Sequence, residues 1–173
     1  KSAPIRNKDN RFVTLETTMG KMTLELYHDV APGHADSFLV LTKKGFYNGI
    51  KFHRVIDHFM IQGGDPKGDG TGGAGYNLKA EFSKLPHIEG TLSAARAADP
   101  NSASSQFFIC LAPCPQLDGH YSIFGHLLLK TRGRAGKADE FARGFQTFLI
   151  ESFFDRFFGN ESLPGDFQHR LED

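Results

Sequence analysis

The sequence predicts a mainly β domain whose strands form a closed or nearly closed barrel, covered by one or two helices. Three observations lead to this prediction. Short apolar or alternating segments, typical of strands, outnumber segments with a helical period. The connections are irregular, and one of them, residues 63–75, holds seven of the 19 glycines. A chain of 173 residues is also about one domain long and can bury its own core.

The first predicted elements are a β-hairpin and a helix. In residues 11–18 and 21–27 apolar and polar side chains alternate, as in strands that bury one face, and a Met-Gly turn separates them. A helix over residues 32–44 follows. Pro32 suits a first helical turn, where its missing N–H costs nothing, and Gly45 suits the residue after a helix end.

Further short strands are predicted in the middle of the chain. Residues 52–62 are rich in β-forming side chains and are interrupted by Asp-His, and residues 91–95, 106–111 and 121–124 are similar. Residues 63–75 lie between them, and their composition predicts a long, tightly turned loop.

The strand signal weakens after residue 126. Residues 127–173 contain no valine, and their phenylalanines recur at a spacing that predicts a helix over 138–158. We therefore expect a core domain, 1–126, and a divergent and helical C-terminal segment, 127–173, that packs on the barrel or completes it. A genuine replacement, an appended interaction helix and a frameshifted reading are the three explanations for this segment.

Composition excludes several classes of protein. The 20 basic and 20 acidic residues cancel, so we expect neither nucleic-acid nor membrane-surface binding. No run of about 18 apolar residues predicts a transmembrane helix. Two cysteines and no apolar signal in the first ten residues favour a cytoplasmic protein, with export after signal removal left open. We expect a monomer.

Three local motifs have weak functional interpretations. The segment 68–73 matches G-x-G-x-x-G, but no helical pattern follows it, so a turn-rich loop is favoured over a phosphate site. Cys110 and Cys114 lack the further ligands that zinc needs and are expected to be buried thiols. His53 and His58 flank an aspartate without a third ligand. No cofactor and no metal are expected.

Three large polar side chains lie within apolar segments, namely Arg54, Gln62 and Gln106. Each alone is compatible with a strand residue that faces solvent. Together they could lie beside an apolar pocket that accepts a small ring with one polar edge. The apolar residues expected to line it are Phe59, Met60, Phe108 and Leu117.

In six segments the chain resembles the cyclophilins, and with the hairpin and helix the resemblance covers residues 12–126. The bacterial single-domain members are the most similar. The segments are Phe-His-Arg-Val-Ile at 52–56, Phe-Met-Ile-Gln-Gly-Gly-Asp at 59–65, Gly-Thr-Gly-Gly at 70–73, Ser-Gln-Phe-Phe-Ile at 105–109, Leu-Asp-Gly at 117–119 and Phe-Gly at 124–125.

This resemblance implies a closed eight-stranded barrel capped by two helices, with peptidyl-prolyl cis-trans isomerase activity and no cofactor. Arg54 would donate to the prolyl nitrogen as the amide twists, Gln62 would hold Arg54 and bind a substrate carbonyl, and Phe59 would complete the catalytic set. Proline-containing peptides and unfolded or flexible chains would be the substrates. The implied substrate-binding residues are His53, Met60, Ala95, Arg96, Gln106, Phe108, Leu117 and Tyr121, of which Ala95 and Arg96 would offer backbone groups.

Three departures from the family pattern modify these expectations. Gln116 stands where eukaryotic relatives have a pocket tryptophan, which predicts weak cyclosporin binding. Tyr121 stands where many relatives have histidine and keeps an aromatic wall with a polar tip. Residues 127–173 do not follow the family pattern. They leave open the alternative of a cyclophilin-like binding module that holds partners in its groove or on its phenylalanine-rich segment without catalysis.

Overall fold

The computed structural model describes residues 7, 9–18, 20–132 and 148–151, which form one curled, antiparallel sheet with a helix packed on it. The elements in chain order are β1 (Arg11–Thr17), β2 (Gly20–Leu26), α1 (Pro32–Lys43), β3 (Arg54–Ile56), β4 (Met60–Gly63), β5 (Thr91–Ala94), β6 (Phe107–Cys110), β7 (Ile123–Arg132) and β8 (Phe148–Glu151). The strand order is β3-β4-β6-β5-β7-β2-β1-β8.

The predicted hairpin and first helix are confirmed. β1 and β2 pair in register from Arg11 opposite Leu26 to Thr17 opposite Gly20. Alternate residues of β1 are buried, as the alternating pattern predicts, and in β2 the expected Met22, Leu24 and Leu26 are buried together with Glu25. The short strands β3, β5 and β6 also lie within the predicted segments, and β4 extends one residue beyond its segment, to Gly63.

Two predictions on the C-terminal part of the chain are wrong. The strand expected over 121–124 begins at Ile123 and continues to Arg132, so a boundary after residue 126 falls inside β7. Within the helix expected over 138–158, Phe148–Glu151 form a strand that pairs with Thr14–Thr17 of β1. The free edge of β1 offers hydrogen-bond partners to an extended segment, and phenylalanine and isoleucine tolerate strands well. The remainder of that predicted helix lies outside the described residues.

A single apolar core fills the inside of the curled sheet. Residues from both halves of the sheet join one buried cluster, for example Leu24 of β2 and Ile109 of β6. The helix covers one end, and Phe38 on its inner face lies 4.9 to 5.6 Å from the rings of Tyr47, Phe107 and Phe124. Aromatic rings at these separations contribute beyond their buried area.

The N-terminus of α1 is capped by a residue far along the chain. The preceding residue, Ala31, has no side chain that could accept a hydrogen bond. Glu81 instead accepts hydrogen bonds from the backbone N–H groups of Gly33 and His34, both at 3.0 Å, and from the buried ring of His34 at 2.6 Å. A carboxylate at this end also complements the helix dipole. The contact ties the helix to the loop that leads into β5.

Candidate active site

The pairing register places the predicted polar residues on one face of the sheet. Arg54 lies opposite Gln62, Gln62 opposite Phe108, and Phe108 opposite Ser93, so these residues form a row across β3, β4, β6 and β5. Because side chains alternate along strands, the neighbouring residues Ile61 and Ile109 point the other way, into the core. The inner face therefore builds the fold, and the outer face carries the site.

Hydrogen bonds join the side chains of Arg54, Gln62 and Gln106 one after another on this outer face. Arg54 donates through Nη1 to Oε1 of Gln62 at 3.3 Å, and Gln62 donates through Nε2 to Oε1 of Gln106 at 2.9 Å. Gln106 in turn donates to the carbonyls of Gly70 and Gly72 at 3.0 and 2.8 Å. We call this chain the polar relay. It fixes the orientation of both amide groups and leaves the guanidinium of Arg54 exposed.

The glycine loop that anchors the relay is organised around Asp65, which is 1 % exposed. Its carboxylate accepts hydrogen bonds from the backbone N–H groups of Lys67, Asp69 and Gly70. Burial alone would raise the pKa of Asp65, but the backbone hydrogen bonds and the nearby His53 lower it below its ordinary value. The carboxylate is thus held ionised as the centre of the loop.

Glycine is required where the loop crosses this carboxylate. A Cβ atom on Gly72 would overlap Oδ1 of Asp65, so any other residue would displace the carboxylate that holds the loop together. The turn-rich loop expected from the G-x-G-x-x-G segment is what the structure contains, and its loop N–H groups are bound by a carboxylate of the same chain.

Beside the polar relay lies an apolar cluster that brings together the predicted pocket residues. Met60 and Phe108 are buried within it, and the partly buried residues Phe59, Leu117 and Tyr121 pack around them, as does Ala95. The ring of Tyr121 meets that of Phe108 edge-on, with centroids 5.7 Å apart. Tyr121 therefore forms an aromatic wall.

Two predicted binding residues differ in detail from what was expected. The N–H of Ala95 donates to the carbonyl of Gln106 at 3.0 Å, so it is engaged within the protein and only the Ala95 carbonyl remains to be offered to a peptide. His53 is half-buried, lies outside the apolar cluster, and has a buried Nδ1 atom without a hydrogen-bond partner. Gln116, at the tryptophan position, is exposed on a 3-10 turn.

Behind the pocket lies a buried polar group that sequence reasoning missed. The ring of His87 stacks on Phe108 at 6.1 Å with an interplanar angle of 15°. Its Nδ1 lies 3.1 Å from Asp118 Oδ1, and its Nε2 lies 3.2 Å from the hydroxyl of Ser93. Asp118 also accepts the backbone N–H of His87 at 2.7 Å. In the sequence, the one indication of this group was the Leu-Asp-Gly segment, which contains Asp118 and resembles the cyclophilins.

This Asp-His-Ser arrangement supports the pocket wall and cannot act as a hydrolytic triad. Ser93 is fully buried, and its hydroxyl also donates to the carbonyl of Ser122 at 3.0 Å, so no substrate reaches it. Burial lowers the pKa of His87, while Asp118 acts in the opposite direction. The imidazole is thus favoured in its neutral form as a flat support beneath Phe108.

Cys110 and Cys114 are free, buried thiols, as expected. Burial raises the pKa of both, which disfavours the thiolate that a nucleophile or a metal ligand requires. Within the described residues no group of three or more histidine, cysteine or acidic side chains could hold a metal ion. In the same part of the chain no helix is long and apolar enough to cross a membrane.

Comparison with known proteins identifies this combination of fold and site. Residues 12–133 match the family model described as cyclophilin type peptidyl-prolyl cis-trans isomerase/CLD. A peptidyl-prolyl cis-trans isomerase of Synechococcus elongatus is 49 % identical over 111 residues, which are 64 % of this chain and 76 % of the relative. One from Schizosaccharomyces pombe is 47 % identical over 120 residues, 67 % of this chain and 77 % of the relative.

Solved structures agree with this match. A cyclophilin-type isomerase of Cryptosporidium parvum, crystallised in the presence of the dipeptide Ala-Pro, has a TM-score of 0.71 at 31 % identity. The match covers 83 % of this chain and all of that one. The curled sheet and its site thus define a rotamase of the cyclophilin class. The chain belongs to the cyclophilin-type peptidyl-prolyl cis-trans isomerases, and the match extends beyond residue 126 into the second half of β7.

Proposed function

We propose that this isomerase twists X–Pro bonds by donating a hydrogen bond from Arg54 to the prolyl nitrogen. Rotation about an amide meets a barrier of about 20 kcal/mol because resonance gives the C–N bond double-bond character. As the bond twists, the nitrogen becomes pyramidal and gains a lone pair that can accept a hydrogen bond. A donor that acts only on this twisted form lowers the barrier without tighter binding of the planar substrate.

The arrangement of the polar relay beside the apolar cluster is the observation that supports this proposal. The cluster offers Phe59, Met60, Phe108 and Leu117 to a proline ring, and the relay holds Gln62 so that it orients Arg54 at the edge of the cluster. A guanidinium stays charged at any physiological pH, so it needs no proton uptake before it donates. Gln62 would also bind a substrate carbonyl.

Several finer expectations belong to the same proposal. The exposed position of Arg54 suits unfolded or flexible chains, whose prolines reach an open site. The small polar Gln116 predicts weak cyclosporin binding.

We propose a monomer in the cytoplasm, where two free thiols stay reduced. We also propose that the sheet closes into an eight-stranded barrel with a second covering helix, although no pairing between β3 and β8 is found among the described residues.

Exchange NMR on an Ala-Pro peptide tests the proposal directly. We expect the full chain to accelerate cis-trans exchange and Arg54→Ala to reduce this acceleration by about a hundredfold or more, in line with the loss of one transition-state donor. Circular dichroism should remain that of the wild type, because Arg54 is exposed. Absence of acceleration by the wild type would favour a binding module, and a fully active Arg54→Ala would remove Arg54 from the mechanism.

A further inference from the structure

A second groove adjoins the proline pocket on the far side of the polar relay. Its volume is about 730 Å³, and Gln62, Gln106 and Ala95 form the wall that it shares with the site described above. The opposite wall is built from the glycine loop and from the segments around Tyr76 and Ser102. A peptide with its proline in the pocket would therefore place a neighbouring side chain in or above this groove.

The charged side chains in the lining of this groove are both cationic. They are Lys67 and Arg96, and no carboxylate side chain lines it. Uncharged polar groups, among them Thr71, Asn77 and Ser104, make up much of the remaining surface. The groove is thus positively charged in a chain whose basic and acidic residues cancel.

Arg96 is held rigidly, and its charge has no counter-ion among the described residues. Its guanidinium lies 4.6 Å from the ring centroid of Tyr121 and donates to the carbonyls of His120, Ala97 and Ala98. These four hydrogen bonds leave one of its five N–H donors for another acceptor. Neutral carbonyls do not cancel the charge, and Arg96 takes part in no salt bridge in the described part of the chain.

The two carboxylates of the glycine loop are engaged within the loop and do not line the groove. Asp65 is buried on loop N–H groups, as described above. Asp69 accepts hydrogen bonds from the N–H and hydroxyl of Thr71, at 2.8 and 2.7 Å, and lies close enough to Lys67 to feel its charge. Asp69 therefore offsets Lys67 in part, and Arg96 is the stronger attractor of an anion.

We propose that this groove selects substrates that carry an aspartate or glutamate close to the proline. The acidic side chain would accept the remaining N–H of Arg96 and lie in the field of Lys67. This inference rests on the proposed isomerase function, because it assumes that the bound proline brings its neighbours to the groove. A preformed, charged donor loses little entropy when it binds a carboxylate.

The test compares peptides that differ only in charge. One set carries Glu, Gln or Lys at each of the three positions before the proline and at the one after it, and exchange NMR measures kcat/KM for each. We expect Glu to exceed Gln by about three- to tenfold at one position, as for a partly solvated ion pair, with Lys below Gln. This preference should shrink in about 0.5 M NaCl, because salt screens exposed charges.

Charge-removing variants assign the preference to the groove. In Arg96→Gln the Glu-to-Gln ratio should fall to about one, and in Lys67→Gln it should fall by less, because Asp69 already offsets Lys67. Arg96→Lys should keep part of the ratio. The experiment compares the ratio of the Glu to the Gln rate and not the absolute rates. Arg96 also holds Tyr121, so loss of the Arg96 side chain lowers the rate for every peptide. Lys44→Gln, an exposed site at the end of α1, is the matched control and should leave the ratio unchanged.

The possible failures of the two proposals are distinguishable. Equal rates for Glu and Gln peptides at all four positions would overturn the acidic preference and leave the isomerase function intact. An undiminished preference for Glu peptides in Arg96→Gln would also overturn the acidic preference assigned to this groove. If no peptide is accelerated, the isomerase function itself is contradicted, and the acidic preference is contradicted with it.

Discussion

At the scale of single residues, the site works because the amide groups of Gln62 and Gln106 have defined hydrogen-bond partners. Gln62 could rotate freely on an isolated strand, but the polar relay fixes it between Arg54 and Gln106. Phe108 is fixed similarly, since His87 stacks on one side and Tyr121 meets it edge-on. Preorganised groups of this kind lose no free energy to reorientation when the substrate twists.

Replacement of Gln116 by tryptophan should raise the affinity for cyclosporin. A large indole beside the groove would remove about 50 to 100 Å² more apolar surface from water, which corresponds to a gain in affinity of about ten- to seventyfold. Calorimetric titration of Gln116→Trp measures this gain, with Gln116→Asn as the polar control. Isomerisation of an Ala-Pro peptide should change by less than about threefold. Equal cyclosporin affinity in the wild type and both variants would contradict the assigned role of this position.

At the scale of elements, strand register and one loop create the site. Arg54, Gln62 and Phe108 come from three different strands, and the register alone puts them side by side. The glycine loop then supplies the fixed end of the polar relay through Gly70 and Gly72. Removal of the centre of that loop should therefore affect catalysis at a distance from Arg54.

Replacement of Asp65 by asparagine should loosen the glycine loop and show a defined dependence on pH. The lowered pKa of Asp65 means that its contribution to stability is present above its ordinary pKa, about 4, and is lost as pH falls through the lower value in the folded state. Urea unfolding should give a loss of about 1 to 3 kcal/mol for Asp65→Asn at pH 7 and a smaller loss near pH 3. A loss of stability that is equal at both pH values would contradict the role of the ionised carboxylate.

The elements whose formation depends on neighbouring residues along the chain were predicted correctly from the sequence. The alternation in β1 and β2 and the proline and glycine at the ends of α1 were sufficient to place the hairpin and the helix. The family-like segments predicted the pocket residues. By contrast, β8 forms where β1 has a free edge, and no local pattern encodes that edge. His87 was missed because its role depends on contacts with Asp118 and Phe108, which are 31 and 21 positions further along the chain.

At the scale of the whole molecule, one curled sheet separates stability from function. Its inner face holds the continuous apolar core, and its outer face at β3 to β6 holds the site. The sheet is completed at its other end, where Phe148–Glu151 pair with β1 and cover an edge that would otherwise be open. Residues 148–151 are therefore tied to the fold at the end of the strand order opposite to β3 and β4.

A chain that ends at Arg132 should be less stable than the full chain. It lacks the four-residue ladder between β8 and β1, and its exposed β1 edge can pair with other molecules. We expect a lower thermal midpoint by circular dichroism and more aggregation on heating. The truncated chain should still bind an Ala-Pro peptide at low temperature, because the site lies on β3 to β6. An unchanged thermal midpoint would show that β8 contributes nothing to stability.

The central claim is that Arg54 acts on the twisted bond more than on the resting substrate. The substitution Arg54→Lys tests this claim most directly, because it keeps the positive charge but loses the planar guanidinium that the polar relay orients. Peptide affinity and on-enzyme exchange rate are both obtained by NMR line-shape analysis of the same Ala-Pro titration. We predict an affinity within about threefold of the wild type and an exchange rate lower by about a hundredfold. An unchanged exchange rate, or a fall in rate explained wholly by weaker binding, would contradict it.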